Sequence, residues 1–139
     1  MLETMTEAKI VRLSETETVP FAPDSFYNPI LPGEEAGFPI RIGIQTAEPG
    51  YEPGLHAHPY VEILHILEGC CDVWLEGEEE QRTRLEAGDT VALPAHRRHN
   101  FAALGTGPMR LMGIHLSPKR IVSYLDGESD KHGYPVHRL

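Results

Sequence analysis

Apolar and polar residues alternate along most of this chain with the two-residue period of β-strands, and only its two ends depart from that pattern. Pro39 to Ala47 shows it most clearly. Ile40, Ile42 and Ile44 share one face; Arg41, Gly43 and Gln45 share the other. Periodicity alone puts the isoleucines in the core. If both faces are buried, one by a cavity and one by sheet packing, Arg41 and Gln45 instead face the cavity and hold a polar substrate. Glu62 to Leu67 is the next long strand, with Leu64 and Ile66 on the face of Glu62 and His65 on the other. Cys71 to Glu76, Arg82 to Leu85, Thr90 to Leu93, His99 to Leu104 and Met109 to Leu116 follow as strands. Turns fall at Gly69, at the acidic tip Gly77 to Gln81, at Gly88-Asp89 and from Gly105 to Pro108. Trp74 reads as core or interface, and Met112 and His115 fall on opposite faces of the last strand.

The ends read differently. Ala8 to Leu13 patterns as a strand, but Pro20, Pro23, Pro29 and Pro32 then force an extended, irregular path. Residues 1–38 are therefore expected to form an arm over the rest of the fold or over a partner subunit, or a partly disordered leader. Residues 39–117 hold the strands. Beyond them Ser117-Pro118 reads as an N-cap and first helical residue, and Gly127 as a stop. Ile121, Val122 and Leu125 form a stripe, so a short helix from Pro118 to Asp126 is predicted, with residues 118–139 completed by an unpatterned tail. His132 and His137 in that tail read as solvated.

Composition narrows the class. A chain of 139 residues is a usual size for one domain, and its 13 Gly and 12 Pro suit many short strands. The net charge of −9 argues against nucleic acid or an anionic membrane as partner. No apolar run approaches the ~20 residues that span a bilayer. The stretch MLETMTEAKIVRL lacks the basic start and apolar core of a secretory signal. Cys70 and Cys71 are adjacent and point to opposite faces, which argues against a disulfide and suits a reducing, cytoplasmic setting.

The chemistry concentrates between Gly50 and Gly69, where His56, His58 and Glu62 cluster, with His99 further on. Three imidazoles and a carboxylate make a site for one divalent transition metal. His56 and His58 share a strand face roughly 7 Å apart. On a straight strand Glu62 would lie about 20 Å from His56, so the chain must turn between His58 and Glu62, and Pro59 is placed to break it. Such ligands suit iron, manganese, nickel, cobalt, copper or zinc. Four protein ligands leave positions open on a five- or six-coordinate ion, for a bound ligand, O₂ or activated water. His96, Arg97 and Arg98 form either an anion clamp or a solvated turn. There is no C-x-x-C, HExxH, G-x-S-x-G or phosphate-cradling glycine loop, so zinc-ribbon, zincin, serine-hydrolase and nucleotide-binding readings have no support.

Gly50, His56-x-His58, Glu62 and Gly69 resemble the first motif of the cupin superfamily at every fixed position, and Gly88, Pro94 and His99 match its second. His96 stands where that motif has Gly, and Ala103 where it has Asn. His is among the non-Gly residues enriched at positive φ, so the first departure is tolerable. The resemblance spans about Ile40 to Leu116. It implies an all-β cupin jelly-roll barrel, here with a short C-terminal helix, and one divalent metal on His56, His58, Glu62 and His99. By analogy with small single-domain cupins, it also implies a metal-dependent dioxygenase acting on a small organic substrate. A non-redox isomerase or lyase, with Tyr60, His115 or His96 as acid–base group, and a non-enzymatic binding barrel are the alternatives. Jelly rolls retain exposed edges, so a homodimer is expected, its edges covered by the arm from Ile10 to Phe26.

Overall fold

The computed structural model describes residues 6–21 and 23–136. After a 3₁₀ turn at Leu13–Glu15 come β1 (Val19–Pro20), β2 (Ser25–Leu31) and a second 3₁₀ turn at Gly33–Ala36. Then follow β3 (Arg41–Ala47), β4 (His56–Ala57), β5 (Glu62–Glu68), β6 (Cys70–Leu75), β7 (Thr83–Glu86), β8 (Thr90–Leu93), β9 (His99–Leu104) and β10 (Met109–His115). The short β11 (Ser123–Tyr124), β12 (Glu128–Ser129) and β13 (Pro135–Val136) end the described chain.

Two antiparallel sheets carry the fold. One has the order β1-β2-β3-β10-β5-β8 and the other β11-β4-β9-β6-β7. Among the described residues no ladder joins the two, so the closed barrel expected from the sequence is not formed. The core lies between them, where Leu64, Ile66, Leu111 and Met109 of the first sheet meet Cys71, Val73, Phe101 and Ala103 of the second. Fully burying each such large aliphatic or aromatic side chain contributes about 1.5–3 kcal/mol. Leu64 and Ile66 are buried on the face of Glu62, as their alternation predicts. Both cysteines are free; burial pushes the Cys71 thiol up to about 12, so it stays protonated.

Two expectations are corrected, and one left open is decided. On β3 Arg41 and Gln45 face inward, at 6% and 8% exposure, while on the opposite face Ile44 is buried too, at 7%, and Ile42 half-buried. Inner-face packing against the second sheet decided this, and Gly43 is tolerated there because the Tyr27 ring lies against its Cα, where a Cβ would be. Ala8 to Leu13 forms no strand, and Ile10 is 73% exposed. The helix over Pro118–Asp126 is absent. That stretch runs across the mouth of the fold, with Tyr124 paired to His56 and Ser123 to Ala57. An isolated helix of nine residues is marginal, whereas the extended path gives its backbone partners: Leu125 N–H donates to the Leu55 carbonyl and Ile121 N–H to the Tyr60 hydroxyl. Ile121 and Leu125 of the supposed apolar stripe remain exposed. The segment expected as an arm contributes β1 and β2, and β2 pairs along β3.

Candidate metal centre

Three strands and one bend bring the candidate ligands together. His56 on β4 lies opposite His99 on β9 within the second sheet. Glu62 opens β5 in the first sheet, opposite His115 at the end of β10. Between β4 and β5 the chain bends at Pro59-Tyr60, which places His58 and swings Glu62 back toward the imidazoles. The cluster thus bridges the two sheets at one end of the core. All four side chains are buried, and a donor atom from each lies within 4.8 Å of every other. An ion at ~2.0–2.1 Å from each donor spreads opposite ligands about 4 Å apart, so the group needs only a small contraction to grip one.

The backbone sets the imidazoles for that task. His56 Nδ1 sits 2.7 Å from the Gly54 carbonyl, His58 Nδ1 2.6 Å from that of Ile121, and His99 Nδ1 at a longer 3.4 Å from that of Arg97. A carbonyl only accepts, so each ring donates from Nδ1 and turns the lone pair of Nε2 inward. His99 Nε2 is 3.1 Å and His58 Nε2 3.3 Å from the same carboxylate oxygen, Glu62 Oε1. His58 Nε2 is buried without a hydrogen-bond partner among the described residues. Lone pairs crowded this closely are stabilised only by a shared proton or a cation, so the donor set fits a divalent ion.

His115 completes the arrangement. Its Nε2–H donates to Glu62 Oε2 at 2.7 Å, and its Nδ1 accepts from the Tyr60 hydroxyl at 2.5 Å. Burial works to raise the Glu62 carboxyl, but His115, through its hydrogen bond and proximity, and the nearby rings of His58 and His99 outweigh it and hold it well below its ordinary value. Burial drives His56 down to about 3, helped by neighbouring His99, and lowers His115 against the pull of Glu62. Burial also raises the Tyr60 hydroxyl above its ordinary range, so it remains a proton donor.

A small cavity of about 30 Å³ adjoins the cluster, bordered by His56, Glu62, His99 and His115 and walled by Leu64, Phe101 and Leu111. That is about the space of one water molecule. Gln45 lines it and Arg41 does not. His96, Arg97 and Arg98 do not line it either. Arg98 pairs with Glu76 at 3.3 Å and Arg97 with Glu78 at 3.8 Å, and with His96 they border a separate outer pocket beside His58. His96 takes φ 65°, as its place in the motif requires. His65 is hydrogen-bonded to Thr90 Oγ1 at 2.8 Å, outside the cluster. His132 is exposed, and His137 lies outside the described residues. Trp74 is buried beneath the Arg82 guanidinium, 3.7 Å from its ring centroid.

Sequence reading missed Arg120, Tyr124, Tyr27 and Tyr51, which all line the cavity. Arg120 and Tyr124 sit in the stretch expected to be a helix. Only the alternation of Arg120, Val122 and Tyr124 hinted at an extended path there.

A family model described as a cupin domain matches residues 43–115. No curated protein sequence matches the chain. Solved structures share its fold at low identity. KdgF from Halomonas sp. superposes with a TM-score of 0.66 at 21% identity, over 81% of this chain and 96% of its own. The polyketide cyclase RemF from Streptomyces resistomycificus gives 0.70 at 14%, over 92% and 91%. Oxalate decarboxylase OxdC from Bacillus subtilis gives 0.70 at 22%, over 82% of this chain but only 31% of the decarboxylase. The family match covers over half the chain and takes in the three-histidine, one-glutamate cluster: the chain belongs to the cupin family.

Proposed function

We propose that this cupin is a metal-dependent enzyme that acts on a small oxygen-bearing organic molecule by moving a proton. The observation that carries the reading is the hydrogen-bonded run Tyr60–His115–Glu62 beside the four-donor cluster. A divalent ion held by His56, His58, Glu62 and His99 would supply Lewis acidity toward a carbonyl or carboxylate oxygen. The chain's own residues do the rest. The one lone pair of His115, on Nδ1, faces the Tyr60 hydroxyl, so a substrate proton would reach it by relay: the Tyr60 oxygen takes that proton as its own passes to Nδ1, and Glu62 Oε2 stabilises the imidazolium that results. Tyr60, protonated and bonded to His115 Nδ1, can return a proton along the same line. Leu64, Phe101 and Leu111 keep bulk water from the reacting end. Isomerase or lyase chemistry at an enolisable carbonyl is the class this supports.

The dioxygenase reading rests on the same donor set and on the size of the inner cavity, which suits a molecule as small as O₂. One experiment separates them. The chelator-stripped protein is reloaded with iron(II), manganese, nickel or zinc and incubated in D₂O under nitrogen with a panel of carbonyl compounds. Deuterium entering next to the carbonyl, and lost in His115→Phe, is the expected result. O₂ uptake without anaerobic exchange promotes the dioxygenase, and binding without either leaves a non-enzymatic barrel.

A further inference from the structure

Arg120 holds two buried guanidinium nitrogens without a partner among the described residues, although the same group hydrogen-bonds the Tyr124 hydroxyl. The two are Nε and Nη1, and the residue lies in the stretch that crosses the mouth of the fold. None of the described carboxylates forms an ion pair with it. Glu62, the carboxylate in its own cavity, is taken up by three histidines. Aromatic rings surround it instead: its Cζ lies 5.3 Å from the Tyr134 ring centroid, 5.6 Å from Phe21 and 6.0 Å from Tyr27. These distances reach the outer limit of useful cation–π attraction. A guanidinium with enclosed, unused donors is costly to keep and calls for an explanation.

Its position supplies one. Among the described residues Arg120 alone lines both the inner cavity and a larger outer basin of about 530 Å³. Arg41, Lys119, Lys131 and His132 also border that basin, with Glu34 as its one carboxylate. Glu34 is engaged by Lys119 at 3.7 Å. On a chain of net charge −9, four cationic side chains around one basin form a local positive field that draws in small anions. The inner cavity has room only for the reacting end of a molecule, and the basin has room for the rest.

We propose that Arg120 is the recognition residue for a carboxylate on the substrate, so that the ligand is a small oxo- or hydroxy-carboxylic acid. It enters through the basin, sets its carboxylate against the Arg120 guanidinium, where Nε and Nη1 each offer an unused N–H, and directs its second oxygen toward the histidine cluster. A planar guanidinium presents paired donors that match a carboxylate edge to edge. The proposal builds on the cavity assigned above as the substrate site, and it does not depend on the ion.

The test is binding rather than turnover. Pyruvate, acetate and the uncharged methyl pyruvate are titrated by calorimetry, and by thermal shift at matched ionic strength, into chelator-stripped and zinc-loaded protein. Wild type should bind pyruvate at least tenfold more tightly than methyl pyruvate. Arg120→Gln should lose at least tenfold in pyruvate affinity and its preference for the charged form, and Arg120→Lys should keep part of both. Circular dichroism establishes that the variants are folded; Arg120→Lys serves if Arg120→Gln is not. A merely structural arginine would lower the melting temperature yet leave the ratio of pyruvate to methyl pyruvate unchanged. That result, equal binding of the neutral ester, or no binding of either carboxylate to the zinc-loaded wild type would overturn the proposal. Carboxylate selectivity in the stripped protein without any deuterium exchange would leave Arg120's role standing and remove the proton-transfer reading. Exchange without selectivity would do the reverse.

Discussion

The burial of His56 makes the metal-free protein labile to mild acid, by an amount that can be worked out. The ring is enclosed beside His99 and His58, and its pKa falls from 6.5 to about 3. Below pH 6.5 the unfolded chain takes up a proton at His56 that the folded chain refuses until about pH 3. The folded-state value is depressed, so this contribution is intact above pH 6.5 and is lost as pH falls from there toward 3. At ~1.36 kcal/mol per unit, the loss is about 2 kcal/mol at pH 5 and approaches about 5 kcal/mol near pH 3. Domains of this size hold only about 5–15 kcal/mol in total. The Glu62 carboxyl acts lower down: its depressed pKa gives stability that is present above its ordinary value of 4.5 and lost as pH falls through its folded value. Comparing pH 7 with pH 5 therefore isolates imidazole. His115, lowered in the same direction, contributes in wild type and variant alike.

The assay is urea unfolding of chelator-treated protein at the two pH values, wild type against His56→Gln. Wild type should lose about 2 kcal/mol more than the variant between pH 7 and pH 5, or roughly 6–10 °C in melting temperature. Equal losses in the two proteins would refute the reasoning, because His56 would then be protonated in the folded state and not a buried lone-pair donor.

Other expectations are checked more simply. His99→Ala should bind little divalent metal by elemental analysis, because it removes one of four converging donors, whereas His96→Ala should retain full stoichiometry. Gly43→Ala should destabilise by about 1–3 kcal/mol in chemical denaturation, since the new Cβ would occupy the space of the Tyr27 ring; an unchanged midpoint would mean that Tyr27 moves aside freely. Among the described residues the outer strands β1, β8, β11 and β7 leave sheet edges unpaired, and we expect a homodimer in light scattering at micromolar concentration. A monomer there would contradict it.

How much of this was legible in the sequence depends on how local the signal was. The strands from Glu62 to His115 follow two-residue alternation, and each paired as a strand. The donor cluster was legible because His56, His58 and Glu62 lie within seven residues and Pro59 marks the bend between them. His115 was harder to weigh. Its alternation gave a face, but only the register of β10 on β5 sets it opposite Glu62, and register is a long-range property. β3 stayed open because both its faces pattern plausibly, and in the fold both are at least partly buried. The C-terminal stretch misled for the opposite reason: strong local signals at Ser117-Pro118 and Gly127 were overridden by hydrogen-bond partners more than sixty residues away.

That override ties recognition to coordination. The stretch that carries Arg120 and Tyr124 is fastened at four points. The Pro118 carbonyl accepts from Glu34 N–H at 2.8 Å and the Ile121 carbonyl accepts from His58 Nδ1 at 2.6 Å. Ile121 N–H donates to the Tyr60 hydroxyl at 3.3 Å and Leu125 N–H to the Leu55 carbonyl at 2.9 Å. Two of these four hold residues of the centre itself: His58 among the donors and Tyr60 beside His115. A cavity of about 30 Å³ does not admit even a three-carbon acid whole, so the rest of the ligand would lie in the outer basin, against this stretch. Any shift of the stretch would strain the bond that keeps the His58 lone pair turned inward and the bond that steadies the Tyr60 hydroxyl. The extended path thus fastens the proposed recognition residue to His58 and Tyr60 through backbone groups that the helix expected from the sequence would have used within itself.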